Sequence, residues 1–273
     1  MIELEIIKAH VAQKDRGWLL AHPEFELSAK QKITYDEYVK RHESGEPLPY
    51  ILGFKEFYGR KFVVNEHTLI PRPESELMID EAKQIASSID NPTIIDIGTG
   101  TGCLAITAAL EIPHSKVHAT DISDEALSVA EKNSKLLGAQ VTFFQGNLLD
   151  ASSRSRTGSM LLDEWIPYDY GMTIILANLP YIPTDEWSTL DPRVKTHEPQ
   201  TALEGGKDGL DYYRELLQQI PHKKIYLLCE IMPDQAEPLS QEIKKVHPNA
   251  HIEIKKDLAG LGRLVIASLR EMQ

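Results

Sequence analysis

Ala177-Asn178-Leu179-Pro180-Tyr181 brings a carboxamide, a proline-fixed turn and an aromatic ring together, directly after the apolar run Thr173-Ile174-Ile175-Leu176. Such a run reads as a buried strand, so the polar group stands at a strand end. This combination can hold a planar –NH2 group. An amide or aromatic amine is a poor nucleophile because its lone pair is delocalised. Acceptors aimed at its two hydrogens fix the nitrogen and favour positive charge developing on it. The Asn178 side-chain oxygen and the Leu179 carbonyl can be those acceptors. Pro180 stiffens the turn and brings no competing N–H, and Tyr181 can lie against the flat face of the substrate group. The competing reading is an Asn-containing turn followed by a core tyrosine.

Upstream, Asp96-Ile97-Gly98-Thr99-Gly100-Thr101-Gly102 follows a second apolar strand. Glycines there let the backbone turn sharply and approach a ligand. A dinucleotide loop would carry its third glycine where Cys103 stands; this loop spaces its glycines evenly instead. Asp121 ends the next strand, where a carboxylate can accept both hydroxyls of a ribose. Helix capping is the alternative for Asp121, since Ser123 and Asp124 follow it. The loop holds no lysine, which suits S-adenosylmethionine, a cofactor without phosphate. A sulfonium-borne methyl is already activated, so positioning carries most of the catalysis and no dedicated base is required. His197, beside Glu198, invites an acid–base role that such a reaction does not need. Together the two loops indicate methyl transfer to a nitrogen.

The elements that must position these loops alternate from about residue 76. Strands are predicted at Thr93–Asp96, Lys116–Thr120, Val141–Phe144, Thr173–Ala177 and Ile225–Cys229, with His251–Ile254 and Leu264–Ser268 as a closing hairpin. Helices are predicted at Cys103–Glu111, Asp124–Leu137, Gly209–Ile220 and Gln235–Val246, Pro221 stopping the third. Ser123 is a good N-cap, with Gly138 beyond the end of its helix. The alternation predicts an α/β fold with a mostly parallel, doubly wound sheet whose strand-to-helix loops share one edge. The first 45 residues read as helical, with a capping box at Thr34 and Glu37 and a helix stop at Ser44-Gly45 before Pro47. Phe57–Val64 reads as two short strands around a Gly-containing turn, and Pro71-Arg72-Pro73 as an extended approach to the next helix. The expected division is a helical domain at 1–45, a β-hairpin linker at 46–75 and a catalytic domain at 76–273. The polar stretch 151–160 is expected to be a mobile loop, and Trp165 and Trp187 are read as packing residues.

A chain of 273 residues with a net charge of −12 can bury a full α/β core and is not built for unspecific binding to phosphate backbones. Cys103 and Cys229 form neither a metal spacing nor a disulfide framework, which suits a reducing compartment. No apolar run approaches the roughly 20 residues that span a bilayer, and the start lacks a signal-peptide pattern. A cytoplasmic protein without bound metal, membrane contact or nucleic-acid partner is expected, acting as a monomer.

With both loops placed, the chain resembles the release factor glutamine methyltransferases from about residue 33 onward. Gly45–Gly53, Phe57-Tyr58-Gly59 and Leu69–Glu76 are similar to that family's linker and first catalytic-domain helix. Asp96–Gly102 and Asp121-Ile122-Ser123 with Ala126-Leu127 are similar to its cofactor loops. Glu198-Pro199, Ala202-Leu203, Gly205-Gly206 and Asp208-Gly209-Leu210 resemble a late segment on its active-site side, and Asp257, Gly260 and Arg263 its final hairpin turn. The Pro71–Glu76 and Glu198–Leu210 segments are the most specific. The resemblance implies a class I methyltransferase with a Rossmann-like, seven-stranded, mostly parallel sheet. It also implies methylation of the side-chain amide (N5) of the glutamine in the Gly-Gly-Gln motif of bacterial class 1 peptide chain release factors. S-adenosyl-L-methionine would be consumed and S-adenosyl-L-homocysteine released. Carried across, Gly98, Thr99, Gly100, Thr101, Gly102 and Asp121 hold the cofactor, with Asn147, Leu148 and Asn178. Asn178, Leu179, Pro180 and Tyr181 hold the glutamine amide, and Arg72 and Glu74 help orient the substrate loop.

The chain departs from the family at Leu179, where proline is usual, at Asn147, where an aspartate is common, and at Met232, where a glycine is usual. Residues 149–170 are longer than the family suggests. Only the carbonyl of Leu179 is needed for the amide, and Asn147 keeps one acceptor for the adenine amine. Leu at that place also occurs in rRNA adenine-N6 dimethyltransferases. Nucleic-acid adenine methylation, glutamine methylation of a ribosomal protein and a non-catalytic nucleotide-binding module therefore stand as alternatives. The net charge weighs against the first, the Pro71–Glu74 segment against the second and the intact loops against the third.

Overall fold

The computed structural model describes residues 2–153, 172–220, 224–257 and 259–269. Helices α1 (Ile2–Ala12), α2 (Arg16–Ala21), α3 (Ala29–Glu43) and α4 (Leu48–Leu52) open the chain. The capping box of α3 is Ser28 with Gln31, one turn and more before the predicted pair. Thr34 sits inside the helix, its hydroxyl donating to the Lys30 carbonyl. The sequence signature is degenerate, and Ser28 wins because it precedes the first helical turn. The helix ends at Ser44, as predicted.

Strands β1 (Phe54–Phe57) and β2 (Arg60–Val63) pair antiparallel as a separate hairpin. The turn between them is Tyr58-Gly59, both at positive φ, the conformation whose twist matches that of a hairpin. A 3-10 turn, Pro73–Ser75, then leads into α5 (Glu76–Ala86).

The remaining chain builds one sheet from β3 (Thr93–Ile97), β4 (Lys116–Asp121), β5 (Thr142–Asn147), β6 (Asp150–Ser153), β7 (Thr173–Ala177), β8 (Ile225–Glu230), β9 (His251–Lys256) and β10 (Gly262–Leu269). Its order is β6-β5-β4-β3-β7-β8-β10-β9. The seven predicted strands are all present, mostly parallel, with β10 antiparallel to its neighbours. The short β6 adds an antiparallel edge to β5. It occupies 150–153, where a loop was expected from 151; the rest of that polar stretch, Trp165 and Pro221 lie outside the described residues.

Helices α6 (Cys103–Glu111) and α7 (Asp124–Leu137) join α5 on one face. Helices α9 (Asp211–Gln219) and α10 (Ala236–Val246) cover the other, while the short α8 (Pro192–His197) lies in the connection before α9. The strands read as period-two alternations between two cores. In β3, Ile94 packs on the first face and Ile95 and Ile97 on the second; in β8, Leu228 packs on the first and Leu227 and Cys229 on the second. Residues buried on both faces explain the continuous apolar runs. Among the described residues no helix is long and apolar enough to cross a membrane.

One register decides function. Parallel pairing sets Ile97 of β3 beside Ala177 of β7 and beside Thr120 of β4. The glycine loop, the Asn178 loop and Asp121 therefore leave the sheet at one level. They do so where the strand order reverses between β3 and β7, the crevice in which open α/β sheets bind ligands.

Candidate active site

Gly98, Gly100 and Gly102 all have positive φ, so the loop turns tightly off β3. The Thr99 amide donates to the Thr120 carbonyl at 2.9 Å, and the Gly100 amide to Asp121 Oδ2 at 2.8 Å. A side chain at Gly102 would meet the Ala130 Cβ at 3.1 Å and Ile106 Cδ1 at 2.8 Å; the third glycine lets α6 close on α7. Below the loop, the buried Asp96 accepts the Thr99 hydroxyl at 2.6 Å and the Ala105 amide at 3.1 Å on Oδ2. Its Oδ1 is buried without a hydrogen bond, and burial pushes its pKa up to about 7.

Over this loop lies a cavity of about 330 Å³, within the range of small-molecule sites. Asp121 lines it, each carboxylate oxygen already holding one main-chain N–H, from Gly100 at 2.8 Å and from Ser123 at 2.9 Å. Spare lone pairs remain for two hydroxyls. Burial raises its pKa, and the Ser123, Gly100 and Ile122 amides oppose that rise. Ser123, not Asp121, caps α7, accepting from the Ala126 amide at 3.1 Å. Ile122, Ala126, Leu148 and Leu69 supply apolar walls. Asn147 lies at the edge, its Nδ2 donating to Glu215 at 2.5 Å, which leaves its oxygen to accept. Leu148 holds a positive φ, a strained conformation for a non-glycine residue of the kind that gathers at functional sites. A carboxylate for a ribose, apolar walls for an adenine and the unspent Asp96 oxygen beneath the loop fit S-adenosylmethionine.

Asn178, Leu179 and Pro180 line the same cavity. The Asn178 Nδ2 donates to Ser75 Oγ at 3.1 Å, so the donor end of the carboxamide is taken and its oxygen is left as an acceptor. Leu179 is buried under Gly98. Behind the loop, the fully buried Tyr213 hydroxyl bridges the Ala177 carbonyl, at 3.2 Å, and the Glu230 carbonyl. It pins the tips of β7 and β8 together. The Tyr181 hydroxyl donates to Glu230 Oε1 at 3.4 Å.

The far side of the loop is strapped by the segment 203–209. The Ile182 amide donates to the Leu203 carbonyl and the Gly205 amide to the Ile182 carbonyl, both at 2.9 Å. Gln235 Nε2 donates to the carbonyls of Tyr181, at 2.8 Å, and Asp208, at 3.1 Å. A Cβ at Gly209 would fall onto the Tyr181 carbonyl, and φ there is positive.

The two segments singled out as most specific in sequence meet. Glu198, buried, accepts the Ile70 amide at 3.0 Å and Arg72 Nη2 at 2.6 Å. The linker is thereby fastened beside Pro199, Thr201 and Ala202, which line the cavity with Glu66, His67, Thr68 and Leu69. Glu198→Ala leaves the Ile70 amide unpaired and strips Arg72 of its partner. Arg72 keeps about a third of its side chain in water and can rehydrate, so the loss is about 2 kcal/mol. A calorimetric scan is expected to show a Tm about 4–8 °C lower, with Glu198→Gln intermediate.

Of the residues expected from sequence, Gly98, Gly100, Asp121, Asn147, Leu148, Asn178, Leu179 and Pro180 line one cavity. Thr99, Thr101 and Gly102 support the loop from beneath: Thr99 holds Asp96, and the Thr101 carbonyl accepts Asn133 Nδ2 at 2.9 Å. Tyr181, Arg72 and Glu74 lie outside the cavity lining. Arg72 is committed to Glu198, while the Glu74 charge is felt by Glu230 and Arg263. Sequence reading missed Ser75, Tyr213 and Gln235. Ser75 is 103 residues from Asn178, and nothing local marks such a partner.

A doubly wound sheet with these two loops at its switch point defines a class I S-adenosylmethionine-dependent methyltransferase. Two protein-family models match the chain: the PrmC N-terminal domain over residues 2–53 and the methyltransferase small domain over residues 74–162. The release factor glutamine methyltransferase of Bacillus cereus is 38% identical over 97% of this chain and 91% of its own length. That of Bacillus subtilis is 34% identical over 98% and 91%. The chain belongs to the release factor glutamine methyltransferase family, and its cofactor is S-adenosyl-L-methionine. Among solved structures, human methyltransferase 10 domain containing protein shares the fold, with a TM-score of 0.51 at 17% identity over 85% of this chain and 97% of that one.

Proposed function

We propose that this protein methylates the side-chain amide nitrogen of the glutamine in the Gly-Gly-Gln motif of class 1 peptide chain release factors. The observation that carries this reading is the Asn178 carboxamide, its nitrogen spent on Ser75 and its oxygen left to accept, at a strand tip beside the cofactor loop. S-adenosyl-L-methionine, held over the glycine loop beside Asp121, would supply a methyl carbon activated by its sulfonium. Asn178 Oδ1 and the Leu179 carbonyl accept the two hydrogens of the substrate amide and hold its nitrogen in line with that carbon. Tyr181, outside the cavity lining, ties the loop to Glu230. Transfer of that methyl group to the nitrogen would leave S-adenosyl-L-homocysteine, and the nitrogen, held by these two acceptors, would release one proton to solvent. The Glu198–Arg72 tie keeps the linker over the cofactor, Arg72 and Glu74 flank the substrate loop, and the N-terminal helices offer a docking surface for a protein substrate. The reading includes a monomer, the site residues named here all coming from one chain, and a cytoplasmic reaction, the compartment in which a translation factor would be met as substrate.

Incubation with a purified class 1 release factor and isotope-labelled cofactor tests the reading. Peptide mass spectrometry is expected to find the label on the Gly-Gly-Gln glutamine. Label on naked ribosomal RNA or on a ribosomal protein, with none on the release factor, would overturn it.

A further inference from the structure

Glu230 ends β8 behind the substrate loop and plays no part in the reaction as described above. It is 5% exposed. Oε1 accepts the Tyr181 hydroxyl at 3.4 Å, and Oε2 is buried with no hydrogen bond of its own. Ser75 and Asn178 are both near enough to favour its ionised form.

The chemistry of Ser75 makes this arrangement informative. A serine hydroxyl donates one hydrogen and accepts through two lone pairs. It could therefore hold Asn178 in either orientation, accepting from Nδ2 or donating to Oδ1. It accepts from Nδ2, so its own hydrogen must go elsewhere. The carboxylate that the Ser75 and Asn178 side chains both favour is Glu230, whose Oε2 is buried with no hydrogen bond and so keeps the capacity to accept. An ionised carboxylate accepts only, whereas a protonated one can donate.

We infer that Glu230 is a positioning residue which, as a carboxylate, draws the Ser75 hydrogen to itself and thereby fixes the Asn178 carboxamide with its oxygen toward the substrate. This rests on the reading of Asn178 as the acceptor for the substrate amide. Protonated, Glu230 no longer fixes the polarity of Ser75, and Asn178 can present its –NH2 to the substrate –NH2, two donors facing each other. Burial, with the Glu74 charge adding to it, pushes the pKa of Glu230 up to about 7. Tyr181 and Tyr213, raised by burial, stay neutral, as does Cys103. Arg72 and Arg263 lie near Tyr181. The switch therefore falls near neutral pH, with the carboxylate above it the competent form.

Glu230→Gln is expected to lower kcat by about 10–100-fold, to leave cofactor affinity and KM close to wild type, and to flatten the fall in kcat as pH drops through neutrality, leaving only what Asp96, whose pKa is also about 7, contributes. Glu230→Asp, still an acceptor only when ionised, is expected to restore that acidic limb. In the wild-type protein the side-chain –NH2 resonances of Asn178 should shift along the Glu230 titration, and by less in Ser75→Ala, where only the direct interaction of Asn178 with Glu230 remains. A fall in kcat through neutrality as steep in Glu230→Gln as in the wild type, or an Asn178 signal that ignores the titration, would overturn the inference. The Asn178 signal is read without substrate, so it decides the question even if a release factor is not methylated or Glu230→Gln does not fold.

Discussion

Asn178→Ala is expected to lower the kcat of release-factor methylation by about 10²–10³-fold, the cost of deleting one preorganised electrostatic contact to the reacting group, with a much smaller change in cofactor affinity. On the proposed reading the alanine removes the side-chain acceptor for the substrate amide, while Asp121, Gly98 and Gly100, which line the same cavity, remain. Asn178→Asp is a sharper control. A carboxylate can accept from the substrate, but it cannot donate to Ser75 and would stand near the buried Glu230. Activity is expected to fall in this variant too. Single-turnover kinetics with labelled cofactor, beside calorimetric titration of the product cofactor, separate the two effects.

Gly209→Ala should destabilise the protein and disable it together. The new Cβ would meet the Tyr181 carbonyl carbon at 2.8 Å, with its oxygen closer still, and alanine is strained at this φ of +75°. Left-handed strain and a main-chain clash together cost about 2–5 kcal/mol, a fall in Tm on the order of 10 °C. To relieve the clash the Tyr181 carbonyl must move, and Gln235 loses its bond to that oxygen. A displacement of about 1 Å in a positioning group can cost about 10²-fold in rate. Scanning calorimetry and kcat measured well below the lowered Tm are expected to show both losses. A stable Gly209→Ala protein with full activity would show that the strap does not set the loop.

These effects also show what was legible in the sequence. Local signals carried the sheet: apolar runs bounded by turns gave the strands, and Ser123 and Gly138 bracketed α7 where expected. The glycine loop and the Asn178 loop could be picked out because each gathers its residues consecutively, and residues of both line one cavity. What was not legible is what depends on residues far apart in sequence. The β3–β7 register that sets the two loops side by side joins positions 80 residues apart. Ser75, Tyr213 and Glu198 act on partners 103, 36 and 126 residues away. Gly209 read as the start of a helix, and the structure uses it two residues earlier as the point where the strap meets the loop. The α3 capping box was misplaced for a different reason: a Ser/Thr followed three residues on by Glu/Gln recurs by chance, and only the true helix start makes it a cap.

The most direct measurement is a structure of the protein with S-adenosyl-L-homocysteine and a peptide carrying Gly-Gly-Gln. Asn178 Oδ1 and the Leu179 carbonyl oxygen are expected within hydrogen-bond distance, about 2.7–3.2 Å, of the glutamine side-chain nitrogen, with that nitrogen facing the cofactor sulfur. A glutamine bound with its side-chain oxygen toward Asn178, or an Asn178 carboxamide turned out of the cavity, would contradict the account.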